Sequence, residues 1–302
     1  MSTGVEAKTI AVALPRAAGV ADYIELLKLR LASLVLVTTL VGFCLGFSGP
    51  YDGVFFARFA CLAVGTLLVA GGAMVLNQYM ERHTDALMQR TRTRPLPEGR
   101  ITPGEALIYG GLISVLGTVV LATTVNPLTA VLGLLTLASY LLMYTPLKTR
   151  TPLCTIVGAV SGAIPPMMGW TAATGRIDIE AWLLFAILFV WQMPHFLAIA
   201  WLYREDYARG RQLMLPVVDP SGTNTSRQMV SFSLTLLPVT LMPSVVGMAG
   251  AVYFVGAVVL GVGFLGFAMA VAAGLTQTAA RRMFIVSIVY LPALLGLMLL
   301  DR

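Results

Sequence analysis

Nine apolar stretches, each about as long as a bilayer is thick, run through this 302-residue chain: 31–48, 54–80, 106–124, 127–146, 153–173, 181–203, 229–248, 251–273 and 283–300. Inside hydrocarbon every backbone N–H and C=O must find its partner within the protein, so only helices and closed barrels can span a membrane. The stretches are continuously apolar instead of alternating, which excludes a barrel. Most are close to the roughly 20 residues that a helix needs to cross about 30 Å of hydrocarbon. Charged residues make up only 11% of the chain, less than half the share usual in soluble domains. The expected fold is therefore an all-α polytopic membrane protein with nine transmembrane helices around a central cavity. Turn signals at Ser48-Gly49-Pro50, Asn126-Pro127 and Ala249-Gly250 mark three of the breaks.

The basic residues orient the bundle. Of the 20 Lys and Arg, all but Arg58, Arg176 and Arg302 lie in the N-terminal tail or at the exits of even-numbered spans. By the positive-inside rule these segments are cytoplasmic and the C-terminus is outside. The net charge of +6 is largely this topology signal, and no aromatic-interleaved basic patch suggests nucleic acid as a partner. Cys44, Cys61 and Cys154 are scattered within apolar spans, an arrangement that suits neither a disulfide framework nor a thiolate metal site. Residues 1–30 read as a cytoplasmic tail, with no signal-peptide pattern and a short amphipathic helix at Ala21–Arg30. Residues 31–302 form the intramembrane domain. The bacterial cytoplasmic membrane fits better than the mitochondrial inner membrane, because the tail has little Arg and contains Glu6.

Two of the cytoplasmic loops are long, and both start with acidic residues at a helix exit. The first follows Asn77, Glu81 and Asp85, whose spacing by four places them on one stripe if the helix continues to Asp85. Arg90, Arg92 and Arg94 come next. Topology alone explains the arginines, but not an amide and two acids on one stripe that begins inside an apolar span. Oxygen ligands of this kind suit Mg²⁺ shared with a diphosphate, and guanidinium groups suit the phosphate itself. The second loop holds Glu205 and Asp206, downstream of Trp191, Gln192 and His195 within span 6. Ionisable residues inside a membrane are costly and are functional candidates, although a neighbouring carbonyl would also satisfy a buried histidine. His195 and Asp206 share a face if the helix runs on, and Pro194 is expected to kink it.

Tyr144 and Lys148 share a face if the helical turn survives Pro146; Lys148 then either reaches a diphosphate or snorkels to the interface. In span 5, Gly158 and Gly162 give a GxxxG spacing suited to close helix packing, and Pro165-Pro166 is expected to interrupt the helix. The chain contains no GxxxxGK[ST], GxSxG or HExxH, which counts against ATP-driven transport and hydrolase chemistry.

Asn77-x₃-Glu81-x₃-Asp85 with Met88, Arg90-Thr91, Arg94 and Gly99 resembles the first aspartate-rich signature of the UbiA superfamily of intramembrane prenyltransferases. The segments DALMQRTRTRPLP, YTPLKTRTP, GAIPPMMGW, WQMPHF and REDYARGRQLMLP resemble the branch that farnesylates haem B. That resemblance implies transfer of a farnesyl group from farnesyl diphosphate to a haem B vinyl group, with water addition to give haem O. It implies Mg²⁺ held by Asn77, Glu81 and Asp85 on one side and Asp206 on the other. Arg90, Arg94, Lys148 and Asn77 would bind the diphosphate, and Asp85, Asp206, Lys148 and His195 would be the catalytic group. The pattern departs at the second motif, where a DxxxD is usual: Leu202 and Gly210 flank Asp206 at spacing four, which leaves the number of Mg²⁺ ions open. His195 matches a histidine of this branch, with haem contact and proton handling both open. Besides membrane lipid, a haem A synthase or a terminal oxidase is an open recipient for the product. Another aromatic or tetrapyrrole acceptor, or a membrane transporter, is the alternative.

Overall fold

A computed structural model describes residues 18–302, so Lys8, Arg16 and most of the proposed tail lie outside the described residues. Among those described there are thirteen α-helices: α1 Val20–Leu26, α2 Leu29–Gly46, α3 Gly53–Asp85, α4 Pro103–Val120, α5 Pro127–Ala138, α6 Thr145–Leu147, α7 Cys154–Thr174, α8 Ile179–Leu202, α9 Arg204–Arg209, α10 Leu215–Val218, α11 Thr223–Val245, α12 Ala251–Ala273 and α13 Gln277–Leu300. Two π-helical turns prolong α4 through Leu121–Val125 and α5 through Ser139–Tyr144. Joined in this way they give 9 helices long and apolar enough to cross a membrane.

Local sequence sets several of the helix starts. Asp52 accepts hydrogen bonds from the Val54 and Phe55 N–H groups at the head of α3. Thr102 and Glu105 form a reciprocal capping box on α4, with Pro103 in the first turn, where its missing N–H costs nothing. Asn126 caps α5 by accepting the Thr129 N–H at its side-chain oxygen.

The bundle has two halves. In one, α2 and α5 pack on α7 and α3 carries α4 on its far side; in the other, α11 and α13 pack on α8 and α12 lies against both of them. α7 joins the halves by packing on α8, and it is the hub, with 72% of its apolar window inside the protein against 28% for α4. Contact between α2 and α7 is backbone to backbone: a Cβ at Gly42 would overlap the Pro166 carbonyl, and one at Gly169 the Thr39 carbonyl. Thr129 and Thr171 meet at 3.0 Å, and the Asn126 amide donates to the Thr171 carbonyl, tying α5 to α7.

Three local expectations need correction. α7 is not interrupted at Pro165-Pro166 but runs through both. Each proline removes an N–H donor and crowds the carbonyl one turn back, but a helix enclosed by protein and pressed against α2 is held by packing. α8 likewise continues through Pro194 but ends at Tyr203, before α9 begins at Arg204. His195 and Asp206 therefore do not lie on one continuous helix. The surface helix is shorter than Ala21–Arg30: it stops at Leu26, Lys28 sits in the left-handed region (φ 47°), and Arg30 already belongs to α2.

Candidate active site

α3 is 33 residues long and extends past the apolar span to Asp85, so the three oxygen-bearing side chains sit on one stripe. From Asn77 to Asp85 that stripe rises about 12 Å. All three are buried: Asn77 1%, Glu81 8% and Asp85 1% exposed. Each has one partner from another segment. The Asn77 amide donates to Thr145 Oγ1 at 3.0 Å, and that hydroxyl donates to the Tyr140 carbonyl across the π-helical turn after α5. Lys148 Nζ lies 2.8 Å from Glu81 Oε1 and 3.0 Å from Oε2, with its ammonium 4.5 Å from the Tyr144 ring centre. The turn at Pro146 thus survives, and Tyr144 and Lys148 share a face. Arg94 Nη1 lies 2.6 Å from Asp85 Oδ2. Thr91 donates to the Asp85 carbonyl at 2.7 Å and so turns the chain back toward that pair.

These pairs decide the charge state. Burial alone would lower the Lys148 ammonium, but the Glu81 carboxylate and the Tyr144 and Tyr140 rings beside it raise it well above the ordinary lysine value. Lys148 is therefore a fixed cation. The structure adds a group that sequence periodicity does not reveal, Lys28. It is half-buried between α1 and α2, and its ammonium makes no hydrogen bond or ion pair among the described residues, although its backbone N–H donates to the Glu25 carbonyl at 3.2 Å. Its ammonium feels Arg94, Lys148, Asp85 and Glu81 together; burial and the two cations push it down to about 7 against the pull of the two acids. α1 places it there: the Gln78 amide donates to the Leu26 carbonyl at 2.7 Å, and Arg100 pairs with Asp22 and Glu25.

Asp206 joins the second loop to the first. Its carboxylate accepts the Gln89 and Arg90 backbone N–H groups at 3.1 and 3.2 Å, and Arg209 Nη2 lies 3.0 Å away. It is the anchor that fixes the first loop to the second. Arg90 is held with it, its guanidinium over the Tyr203 and Tyr207 rings at 4.9 and 5.6 Å from their centres. Arg92 and Glu205 are exposed. The i,i+3 spacing of Asp206 and Arg209 was the available sequence signal for this pairing, whereas nothing local marks Thr145 or Lys28.

His195 lies apart, deeper on α8. Its Nδ1 is 2.7 Å from Ser287 Oγ on α13, and its ring stacks on Trp191 at 5.1 Å. Trp191 Nε1 donates to the Ser287 carbonyl at 3.0 Å.

Below the acid stripe, α3 continues inward as Ala73, Ala70 and Thr66, which line a narrow, largely apolar slot with Val35 of α2 and Pro165 and Met168 of α7. The slot is thus in line with Asn77, and small side chains on α3 leave its room. The donor set fits a hard cation: two carboxylates and an amide on one face suit Mg²⁺, which takes few protein ligands and keeps phosphate and water oxygens. Among the described residues, no three acidic, His or Cys side chains converge on one point. Lys148 and Arg94 hold the carboxylates' charge in this arrangement, and Asp206 accepts from the Gln89 and Arg90 N–H groups. Positive side chains beside a carboxylate pair, with an apolar slot below, can accept an anionic head on an apolar tail.

Residues 35–291 match the UbiA prenyltransferase family. The protoheme IX farnesyltransferase of Solibacter usitatus is 48% identical over 287 residues, covering 93% of this chain and 98% of the relative. That of Myxococcus xanthus is 45% identical over 283 residues, with 93% and 94% covered. Among solved structures, a digeranylgeranylglyceryl phosphate synthase superposes with a TM-score of 0.78 at 14% identity, over 93% of this chain and 97% of its own. A UbiA homologue from Archaeoglobus fulgidus bound to GPP and Mg²⁺ gives 0.65 at 13% identity, over 92% and 99%. At such identities the two structures speak for the fold.

Proposed function

The chain belongs to the UbiA prenyltransferase family, and on that premise we propose that it transfers a farnesyl group from farnesyl diphosphate to a vinyl group of haem B (protohaem IX), with addition of water, to give haem O. The observation that carries this reading is the buried Asn77–Glu81–Asp85 stripe, flanked by Lys148 and Arg94 and leading straight into the apolar slot along α3. The acceptor and the length of the prenyl chain come over from relatives that share 42–48% identity with nearly the whole chain.

When bound by Asn77, Glu81 and Asp85, Mg²⁺ would offset the diphosphate's charge as a Lewis acid. Lys148 and Arg94 turn from carboxylate to phosphate oxygens as the anionic head enters, exchanging one acidic partner for another. Lys28, held near the same pairs by α1, takes up a proton as the diphosphate's negative charge enters and becomes a third positive group. These interactions strengthen as the allylic C–O bond breaks and its electrons move to the leaving diphosphate. The vinyl π-electrons attack the allylic carbon, and the carbocation left on the tetrapyrrole side takes up water and loses a proton. The slot lined by Ala70, Ala73, Pro165 and Met168 has a volume of only about 20 Å³, so α2, α3 and α7 must part to admit the isoprenoid tail, and their apolar side chains then keep water from the allylic carbon before transfer. Asp206 acts through its grip on Gln89 and Arg90, which fixes the loop that brings Arg94 to Asp85. A transporter would place polar groups at mid-span in both halves; here Glu81, Asp85 and Lys148 gather at one end.

We place the protein in a bacterial cytoplasmic membrane with this charged end facing the cytoplasm. Its lipophilic product passes on within the membrane to a haem A synthase or a terminal oxidase. The test is to supply purified protein with haem B, farnesyl diphosphate and Mg²⁺ and to look by mass spectrometry for the hydroxyethylfarnesyl product. Chelation of Mg²⁺ and Asp85→Asn are both expected to abolish it. A folded protein that binds both substrates and yields no product would overturn the reading, as would undiminished turnover by Asp85→Asn.

A further inference from the structure

Two hydrogen bonds at one hydroxyl settle the tautomer of His195. Ser287 Oγ lies 2.6 Å from the Phe284 carbonyl oxygen of its own helix and 2.7 Å from His195 Nδ1. A carbonyl oxygen can only accept, and a serine hydroxyl has one proton to give. That proton is therefore spent on Phe284. Were it turned to His195 instead, two oxygens with lone pairs facing would stand 2.6 Å apart with no hydrogen between them. Oγ is thus the acceptor toward the ring, and Nδ1 carries the hydrogen. In the neutral imidazole this leaves Nε2 with a bare lone pair.

The surroundings hold the ring in place. Trp191 stacks on it with an interplanar angle of 23°, and Phe284 and Phe196 lie 5.2 and 5.7 Å from its centre. Trp191 is itself anchored on the Ser287 carbonyl, so one fully buried residue of α13 fixes both rings of α8. Nε2 makes no hydrogen bond among the described residues, and it is not sealed in, for the imidazole is only part-buried. A buried structural histidine satisfied at one nitrogen would look similar on its α13 side. It would not require a half-open aromatic frame around the other nitrogen.

We propose that Ser287 is a positioning residue that locks His195 as the Nδ1–H tautomer and so presents Nε2 as an axial ligand to the iron of the haem acceptor. The inference rests on the haem reading above. Ligating histidines commonly donate their second ring N–H to an acceptor, and loss of that partner typically costs 10–100-fold in metal affinity.

The first test needs no haem. The chain has only two histidines, His83 and His195, so ¹⁵N-histidine labelling gives two imidazoles, and exposed His83 is assigned with His83→Gln. His195 is expected to show a protonated Nδ1 and an unprotonated Nε2 in the wild type and a mixture of tautomers in Ser287→Ala. The second test follows haem B binding by absorption and electron paramagnetic resonance. Ser287→Ala should weaken binding by about 10–100-fold and broaden the axial-ligand signature, and Ser287→Thr should restore both. His195→Ala should lose that signature and regain it with added imidazole. A protonated Nε2 in the wild type, or haem affinity and spectrum unchanged in both Ser287→Ala and His195→Ala, would overturn the proposal. In that last case the farnesyl transfer assay would still give product. A wild type that binds no haem under any condition would overturn the functional reading itself.

Discussion

On the proposed function, the pairs Glu81–Lys148 and Asp85–Arg94 do two jobs that single substitutions confuse. A buried charge left without its partner costs about 3–5 kcal/mol, so Glu81→Leu is expected to lower thermal stability as well as abolish turnover. Glu81→Leu with Lys148→Met removes both charges and should regain most of that stability, because a buried pair is often replaceable by apolar groups of similar size. Activity should stay lost. Unfolding temperatures in detergent beside product formation read the two effects, and recovery of activity in the double variant would show the pair to be structural only. Lys28 can be tested more cleanly. Its left-handed backbone costs about 1 kcal/mol for a side-chain-bearing residue, so Lys28→Gly keeps the junction's backbone conformation while it removes the side chain with its ammonium. The expected outcome is a KM for farnesyl diphosphate raised about tenfold or more, as for loss of one charge-assisted hydrogen bond, with no loss of stability; an unchanged KM would remove Lys28 from the site. The acid stripe was legible because helical periodicity is local: Asn77, Glu81 and Asp85 need only α3 to be placed together. Thr145 and Ser287 were not legible, since each acts on a residue more than sixty positions away. The charge of Asp206 was visible in sequence, whereas the backbone N–H groups of Gln89 and Arg90 that it accepts from were not.

At the scale of elements, long apolar runs translate directly into helices, since hydrocarbon leaves the backbone no other partner. All nine spans were legible for that reason, to within a few residues at most ends. What sequence misjudged is where a helix tolerates insult. Pro165-Pro166 reads as a break, yet α7 passes through because its neighbours press on it from every side. The π-helical turn at Ser139–Tyr144 carries no sequence mark either, although it sets Tyr144 and Lys148 against Glu81. The α2–α7 contact gives a prediction with opposite signs at two glycines. Gly169→Ala forces a methyl group against the Thr39 carbonyl and is expected to cost about 1–3 kcal/mol by overpacking. Gly263→Ala on α12 meets no atom within 4 Å and should gain up to about 1 kcal/mol from helix propensity. Thermal unfolding of the two variants side by side checks this. Equal effects would mean that α2 and α7 are free to separate. Gly169→Ala should also slow turnover, because Val35 and Met168, on these same two helices, line the slot.

The whole molecule is polarised along the membrane normal. Glu81, Asp85, Lys148, Arg94 and Asp206 gather at one end, and the loops there carry most of the basic side chains. The opposite end has Arg176, Asp178 and Arg302, with Arg302 bonded to the Cys44 carbonyl and the Tyr51 hydroxyl. A diphosphate cannot cross hydrocarbon, so the end that binds it must face the compartment that supplies it. Positive loops are retained in the cytoplasm during insertion, and the proposed site lies at the same end, so under that proposal topology and donor supply make one demand. Cysteine labelling tests it in a variant whose Cys44, Cys61 and Cys154 are replaced. Ser48→Cys, exposed between α2 and α3, should react with a membrane-impermeant maleimide on intact bacterial cells. Thr149→Cys, exposed beside Lys148, should react only after permeabilisation. Reversed labelling would put the diphosphate site outside the cell, and with it would fall both the orientation and the use of a cytoplasmic prenyl donor.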